Sequence, residues 1–146
     1  MSADQIGQLL QTIVIMVAAL SIVSGLRGVK NQIQVSAYLE YTKRFSEVYR
    51  PMRRALRKYE GIQSIKELSP DEFHDLRERV GSYFGLLASE FHLYKQGYID
   101  QVTWQVWSEG VPRVVGNPLV YEFWLELKQV FAAVEGFESF IESKRK

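Results

Sequence analysis

Residues 6–26 read IGQLLQTIVIMVAALSIVSGL and carry no charged side chain; Asp4 lies before them and Arg27 ends them. As a helix the stretch is roughly 31 Å long at about 1.5 Å of rise per residue, which matches the hydrocarbon core of a bilayer. It is read as a single transmembrane helix, with the rest of the chain hung from it. Two rival readings are weaker. A buried helix of a water-soluble protein also tolerates an uncharged run, and Gln8, Gln11, Thr12, Ser21 and Ser24 leave only residues 13–20 unbroken apolar; yet more than about 18 uncharged residues favour a span. A cleaved secretory signal opens with positive charge, whereas this chain opens Met-Ser-Ala-Asp.

The polar and small positions within the stretch suggest neighbours. Ser21 and Gly25 are four apart, as are Ser24 and Gly28, and small residues at that spacing let another helix approach closely in lipid. Gln8 and Gln11 lie one turn apart, where they either hydrogen-bond a neighbouring helix or meet interfacial water. No Lys or Arg precedes the stretch, while Arg27, Lys30, Lys43 and Arg44 follow it. The positive-inside bias then places the short N-terminus outside and the C-terminal body in the cytoplasm.

The charge beyond the stretch is uneven. Residues 27–58 hold nine Lys/Arg against two acidic residues, a balance of +7, and residues 59–146 hold nine against fourteen, a balance of −5. The basic part contains Lys43, Arg44, Arg50, Arg53, Arg54, Arg57 and Lys58. Such a run can lie along anionic lipid headgroups, pair with an acidic protein face, or simply face solvent. Nucleic acid is the weakest reading for a chain of net charge +1 with no recognised binding motif.

Apolar residues recur at helical steps in Val29, Ile33, Ala37, Tyr41, Phe45 and Val48, so the anchor helix is expected to continue as a basic extension over residues 27–60, broken at Pro51. Its apolar stripe then needs cover, from later helices or from another protein. Residues 61–146 are expected to form a helical body. Ser69-Pro70-Asp71-Glu72 is a capping box with proline at the first helical position, flanked by Leu68 and Phe73 as a hydrophobic staple. The helix it opens places Phe73, Leu76, Val80, Tyr83, Leu87, Phe91 and Tyr94 on one face and Gly81, Gly85 and Ser89 on another, where a close helical neighbour is expected. Asp100 and Asn117 look like further N-caps, Gly110 and Pro112 shorten the helix between them, and a last helix is expected from Phe137. No stretch alternates, so the fold class is all-α: a transmembrane helix extended into the cytoplasm, then a small bundle.

Little here carries chemistry. There is no cysteine, which excludes disulfides and thiolate metal sites. His74, beside Asp75 and Glu78, reads as an ordinary exposed helical group rather than a metal site, and His92 as a cation suited to a helix C-terminus. No phosphate loop or nucleophile–base signature is present, so no enzyme activity, cofactor or metal is expected. Glu90 is the exception worth following. It falls between Leu87 and Tyr94 on an apolar stretch, where a carboxyl either bonds a tyrosine hydroxyl or an arginine, or marks a ligand site together with Tyr83 and Tyr94.

The run Tyr94-Lys-Gln-Gly97-Tyr-Ile-Asp100, followed by Trp104 and Trp107, Asn117-Pro118 and Phe123-Trp124, resembles small bacterial single-pass membrane proteins of unknown function. Pro112 departs from their pattern. The resemblance implies an N-terminal membrane helix and a cytoplasmic helical body, and no catalysis. The chain is thus expected to be a non-catalytic accessory or adaptor subunit, docking on a larger membrane protein complex through its span and cytoplasmic helices. The alternative is a free-standing membrane-anchored sensor that binds a small ligand between its helices.

Overall fold

The computed structural model describes the backbone of residues 3–145 and the side chains of residues 21, 22 and 24–145. It is all-helical, with no strand among the described residues. The chain divides into two units, Met1–Ser36 and Ala37–Lys146. Helix α1, Ala3–Arg57, supplies the described part of the first unit and opens the second. Helices α2 (Pro70–Lys95), α3 (Gln101–Ser108), α4 (Val111–Val115), α5 (Pro118–Leu127) and α6 (Phe137–Ser143) follow, with 3-10 turns at Ile65–Glu67 and Lys128–Phe131.

The expected anchor falls largely on residues 6–20, which lie outside the described side chains. Among the described residues no helix is long and apolar enough to cross a membrane. Further along the first unit, Ile22, Leu26, Val29, Ile33 and Val35 are all exposed.

The expected break at Pro51 is absent, because α1 runs through the proline to Arg57. A proline in mid-helix costs about 3 kcal/mol. Met52 and Ala55, directly after it, are buried in the core of the body. Burying a methionine returns about 1.5–3 kcal/mol, and these contacts hold the last turn in helical register. The turn after α1 then closes at Gly61, whose φ of +101° suits a residue without a Cβ.

The local start signals act as the sequence indicates. The Ser69 hydroxyl accepts from the Glu72 backbone N–H at 3.4 Å, and the Glu72 carboxylate accepts from the Ser69 N–H at 2.9 Å. Leu68 and Phe73 both pack against the core. Asp100 accepts from the Thr103 N–H at 2.9 Å, and Asn117 from the Leu119 and Val120 N–H groups. Ser69→Ala removes the hydroxyl acceptor of the box; it should cost about 1 kcal/mol, read as a lowered urea midpoint at unchanged slope.

The core of the body lies between α2 and α5. Leu76, Val80 and Phe84 from α2 meet Val120, Phe123 and Trp124 from α5, and Phe137 and Ile141 from α6 close the end; none of these is measurably exposed. Aromatic rings supply much of the volume, with Phe84 4.9 Å from Trp124 and Phe73 5.3 Å from Phe123 between centroids. Two carboxylates stitch the shell. Glu122 accepts from the Ser64 hydroxyl and the Ile65 N–H, tying the 3-10 turn to α5. Glu142 accepts from the Tyr121 hydroxyl and the Trp124 indole N–H, each at 2.9 Å, tying α6 to α5.

The small-residue face of α2 is only partly used. A Cβ at Gly81 would meet the Leu127 Cδ1 at 3.7 Å, so α5 is the neighbour there, but no described residue lies within 4 Å of one at Gly85. Ser89 is exposed and its hydroxyl returns to the Gly85 carbonyl.

Candidate functional site

Helical periodicity drives Glu90 inward. It follows Tyr83 and Leu87 at steps of four and three on α2, both of which are buried, so a carboxyl at 90 has to point the same way. Glu90 is 3% exposed, the most buried charged residue among those described. Around it lies a small cavity of about 190 Å³, lined by Tyr41, Thr42 and Phe45 of α1, Val106 and Trp107 of α3, and Gly110. Trp107 stacks on Tyr38 at 5.8 Å and lies 6.1 Å from Tyr41, which fixes the aromatic wall.

No protein donor among the described residues hydrogen-bonds the Glu90 carboxyl, and no fully enclosed side-chain oxygen or nitrogen there lacks a partner. The carboxyl therefore keeps an edge open to the cavity. Burial pushes its pKa up to about 8, so at neutral pH it holds a proton in a largely apolar room. Burial also raises the phenol of Tyr83, with the Glu90 charge adding to the effect. Tyr41 is raised by burial first, Arg44 opposing, with Glu40 and Glu90 reinforcing.

The other residues named from the sequence fall in different places. Tyr83 lies close enough to Glu90 to feel its charge, but its ring packs between Tyr49 and Phe84. Tyr94 is not at the cavity; it stacks on Trp104 at 5.2 Å and 12°. The expected bond from Glu90 to a tyrosine or arginine does not form among the described residues. Tyr41 and Phe45, which do line the cavity, read in the sequence only as members of an apolar stripe, and Trp107 only as part of the run that carries the resemblance. Their meeting with Glu90 joins three helices distant in sequence, which no spacing rule announces.

Arg50, Arg53, Arg54, Arg57 and Lys58 are exposed, and none forms an ion pair among the described residues. Arg53 and Arg57 face an open hollow of about 320 Å³ shared with Glu60 and with Arg113 of α4. Arg113 carried no signal in the sequence, because its partners lie more than fifty positions earlier. Lys43 and Arg44 are instead paired along the helix with Glu47 and Glu40. Ser21 and Gly25 are exposed on α1, and no described residue stands within 4 Å of where a Gly25 Cβ would be. Gln8 and Gln11 lie outside the described side chains.

His74 is exposed and edges Phe73, while Asp75 is held by Arg79 at 2.8 Å. His92 is exposed in the last turn of α2. Among the described residues no group of three or more His, Asp or Glu side chains is placed to hold a metal ion. No protein family matches the chain, and no curated protein or solved structure is similar to it.

Proposed function

We propose that this chain is a non-catalytic accessory subunit of a bacterial cytoplasmic membrane, anchored by residues 6–26 and docked on a larger membrane protein complex. The observation that carries the reading is the apolar row on α1. In the second unit Tyr41, Val48 and Tyr49 are half-buried, and Val48 and Tyr49 pack against the core of the body. In the first unit Ile22, Leu26, Val29 and Ile33 are between 44% and 65% exposed. A row of that composition at the edge of a membrane span suits other transmembrane helices, with Ser21 and Gly25 admitting close approach. The unpaired arginines, exposed on the same helix, suit anionic headgroups or an acidic face of the partner.

The test is purification in mild detergent at native abundance. The chain is expected to migrate with a larger complex; a chain that always migrates alone overturns the reading. Topology has its own test, because the chain has no cysteine. A Ser2→Cys variant in intact cells should react with an impermeant maleimide, whereas Ser143→Cys should react only after lysis. The reverse pattern inverts the orientation, and extraction of the chain by carbonate removes the anchor.

A second reading is favoured by the cavity at Glu90. It makes the body a receptor for a small ligand held between α1, α2 and α3. Both readings are compatible in one subunit that docks through α1 and senses through its body.

A further inference from the structure

We propose that the cavity at Glu90 receives an organic cation, an alkylammonium or a similarly compact amine, gripped by the Glu90 carboxyl and the aromatic wall of Tyr41, Phe45 and Trp107. The inference rests on the receptor reading and names the ligand's chemical class.

Glu90 is the one charged residue among those lining the cavity, and it is 3% exposed with an edge open to the space. Every other lining residue is aromatic, aliphatic, glycine or threonine. An anion entering this space meets a carboxyl and no compensating cation. A wholly apolar ligand leaves the carboxyl without a donor, which is costly in a low-dielectric site. A cation with a short apolar body serves both surfaces, since its charge meets the carboxylate and its carbon faces meet rings whose quadrupoles attract positive charge. The volume of about 190 Å³ is below the roughly 300–1,000 Å³ of drug-sized sites, so the ligand is small.

The surroundings leave the position for a cation open. From α1, Arg44 is held by Glu40 at 2.6 Å, and Tyr41 faces the site as a neutral phenol. From α2 itself Tyr83 is the neighbouring titratable group. Helix α3 carries no charged residue. Because Glu90 holds a proton at neutral pH, a bound cation has to displace it, and binding is coupled to release of a proton.

The experiment uses the full chain in detergent at pH 7, titrated calorimetrically with n-butylammonium, tetramethylammonium, n-butanol and butyrate. The expected result is saturable binding of a cation, at least tenfold weaker in Glu90→Gln. Its heat should vary with the ionisation enthalpy of the buffer, which reports the released proton. Phe45→Ala, at a wall residue 36% exposed, should weaken the cation in the same way while the urea midpoint reports any loss of folding. Butanol binding as well as the cations, with Glu90→Gln unchanged, overturns the cation assignment and leaves a receptor for neutral ligands. Binding of none of the four overturns the assignment and the receptor reading together, and leaves docking through α1 untouched.

Discussion

Raising the pH from 5 to 9 should cost the helical body roughly 4 kcal/mol of stability, and Glu90→Gln should remove most of that loss. The cause is the burial of one carboxyl. In the folded chain burial pushes Glu90 up to about 8 from its ordinary value of 4.5. Between those values the native state keeps a proton that the unfolded chain has released. The unfolded state then binds fewer protons, so stability falls as pH rises. The full contribution is present below about pH 4.5 and is lost by the time the folded group has ionised near pH 8. The other shifted carboxyls behave oppositely and at other pH. Glu72, Asp75 and Asp100 are lowered by hydrogen bonds from Ser69, Arg79 and Thr103, so what they contribute is lost only in acid. Urea titrations followed by tryptophan fluorescence at a series of pH values read the effect, since Trp104, Trp107 and Trp124 all belong to the body. A His74→Gln, His92→Gln background separates the histidines from the carboxyl. A flat profile in that background, or an unchanged slope in Glu90→Gln, would show that water reaches Glu90 freely and that the site is not desolvated.

The contrast between Glu90 and the helix caps shows what a linear reading can reach. Ser69, Asp100 and Asn117 were legible because a cap is a contract between a residue and the backbone two or three positions on, and that distance is written in the sequence. The apolar stripe of α2 was legible for the same reason, and it is what marked Glu90 as misplaced. What the stripe could not supply was the opposite wall. Tyr41 and Trp107 lie about fifty positions before and seventeen after Glu90, and only packing brings them to one cavity. Tyr94, one turn beyond Glu90, was the natural companion by spacing; Trp104 captured its ring instead. Pro51 failed as a break for a related reason. The rule that proline ends a helix is local, and the burial of Met52 and Ala55 that overrides it is tertiary. Arg113 and Glu142 were invisible as single charges, since each acquires its role only beside α1 or α5.

Trp124→Ala should be the most damaging single substitution in the body, at about 3–5 kcal/mol. The indole is fully buried and touches three other rings, with centroids 4.9 Å from Phe84, 6.1 Å from Phe131 and 5.8 Å from Phe137. Truncation to alanine leaves a cavity where α2, α5 and α6 converge. The close-packed rings around it cannot collapse into the space without leaving their own contacts. It also removes the indole N–H that Glu142 accepts at 2.9 Å, leaving the Glu142 carboxylate with the Tyr121 hydroxyl. Small domains are stable by about 5–15 kcal/mol in total, so the variant should lie near its unfolding midpoint at modest urea concentration. Trp124→Phe separates the two causes. It keeps most of the ring volume and loses the hydrogen bond, and should cost about 1–2 kcal/mol. Val102→Ala, at a residue 72% exposed on α3, should change stability by less than about 0.5 kcal/mol. Near-ultraviolet circular dichroism and urea midpoints across the three variants distinguish these outcomes. Equal midpoints for Trp124→Ala and Val102→Ala would mean that α5 does not form the centre of the core.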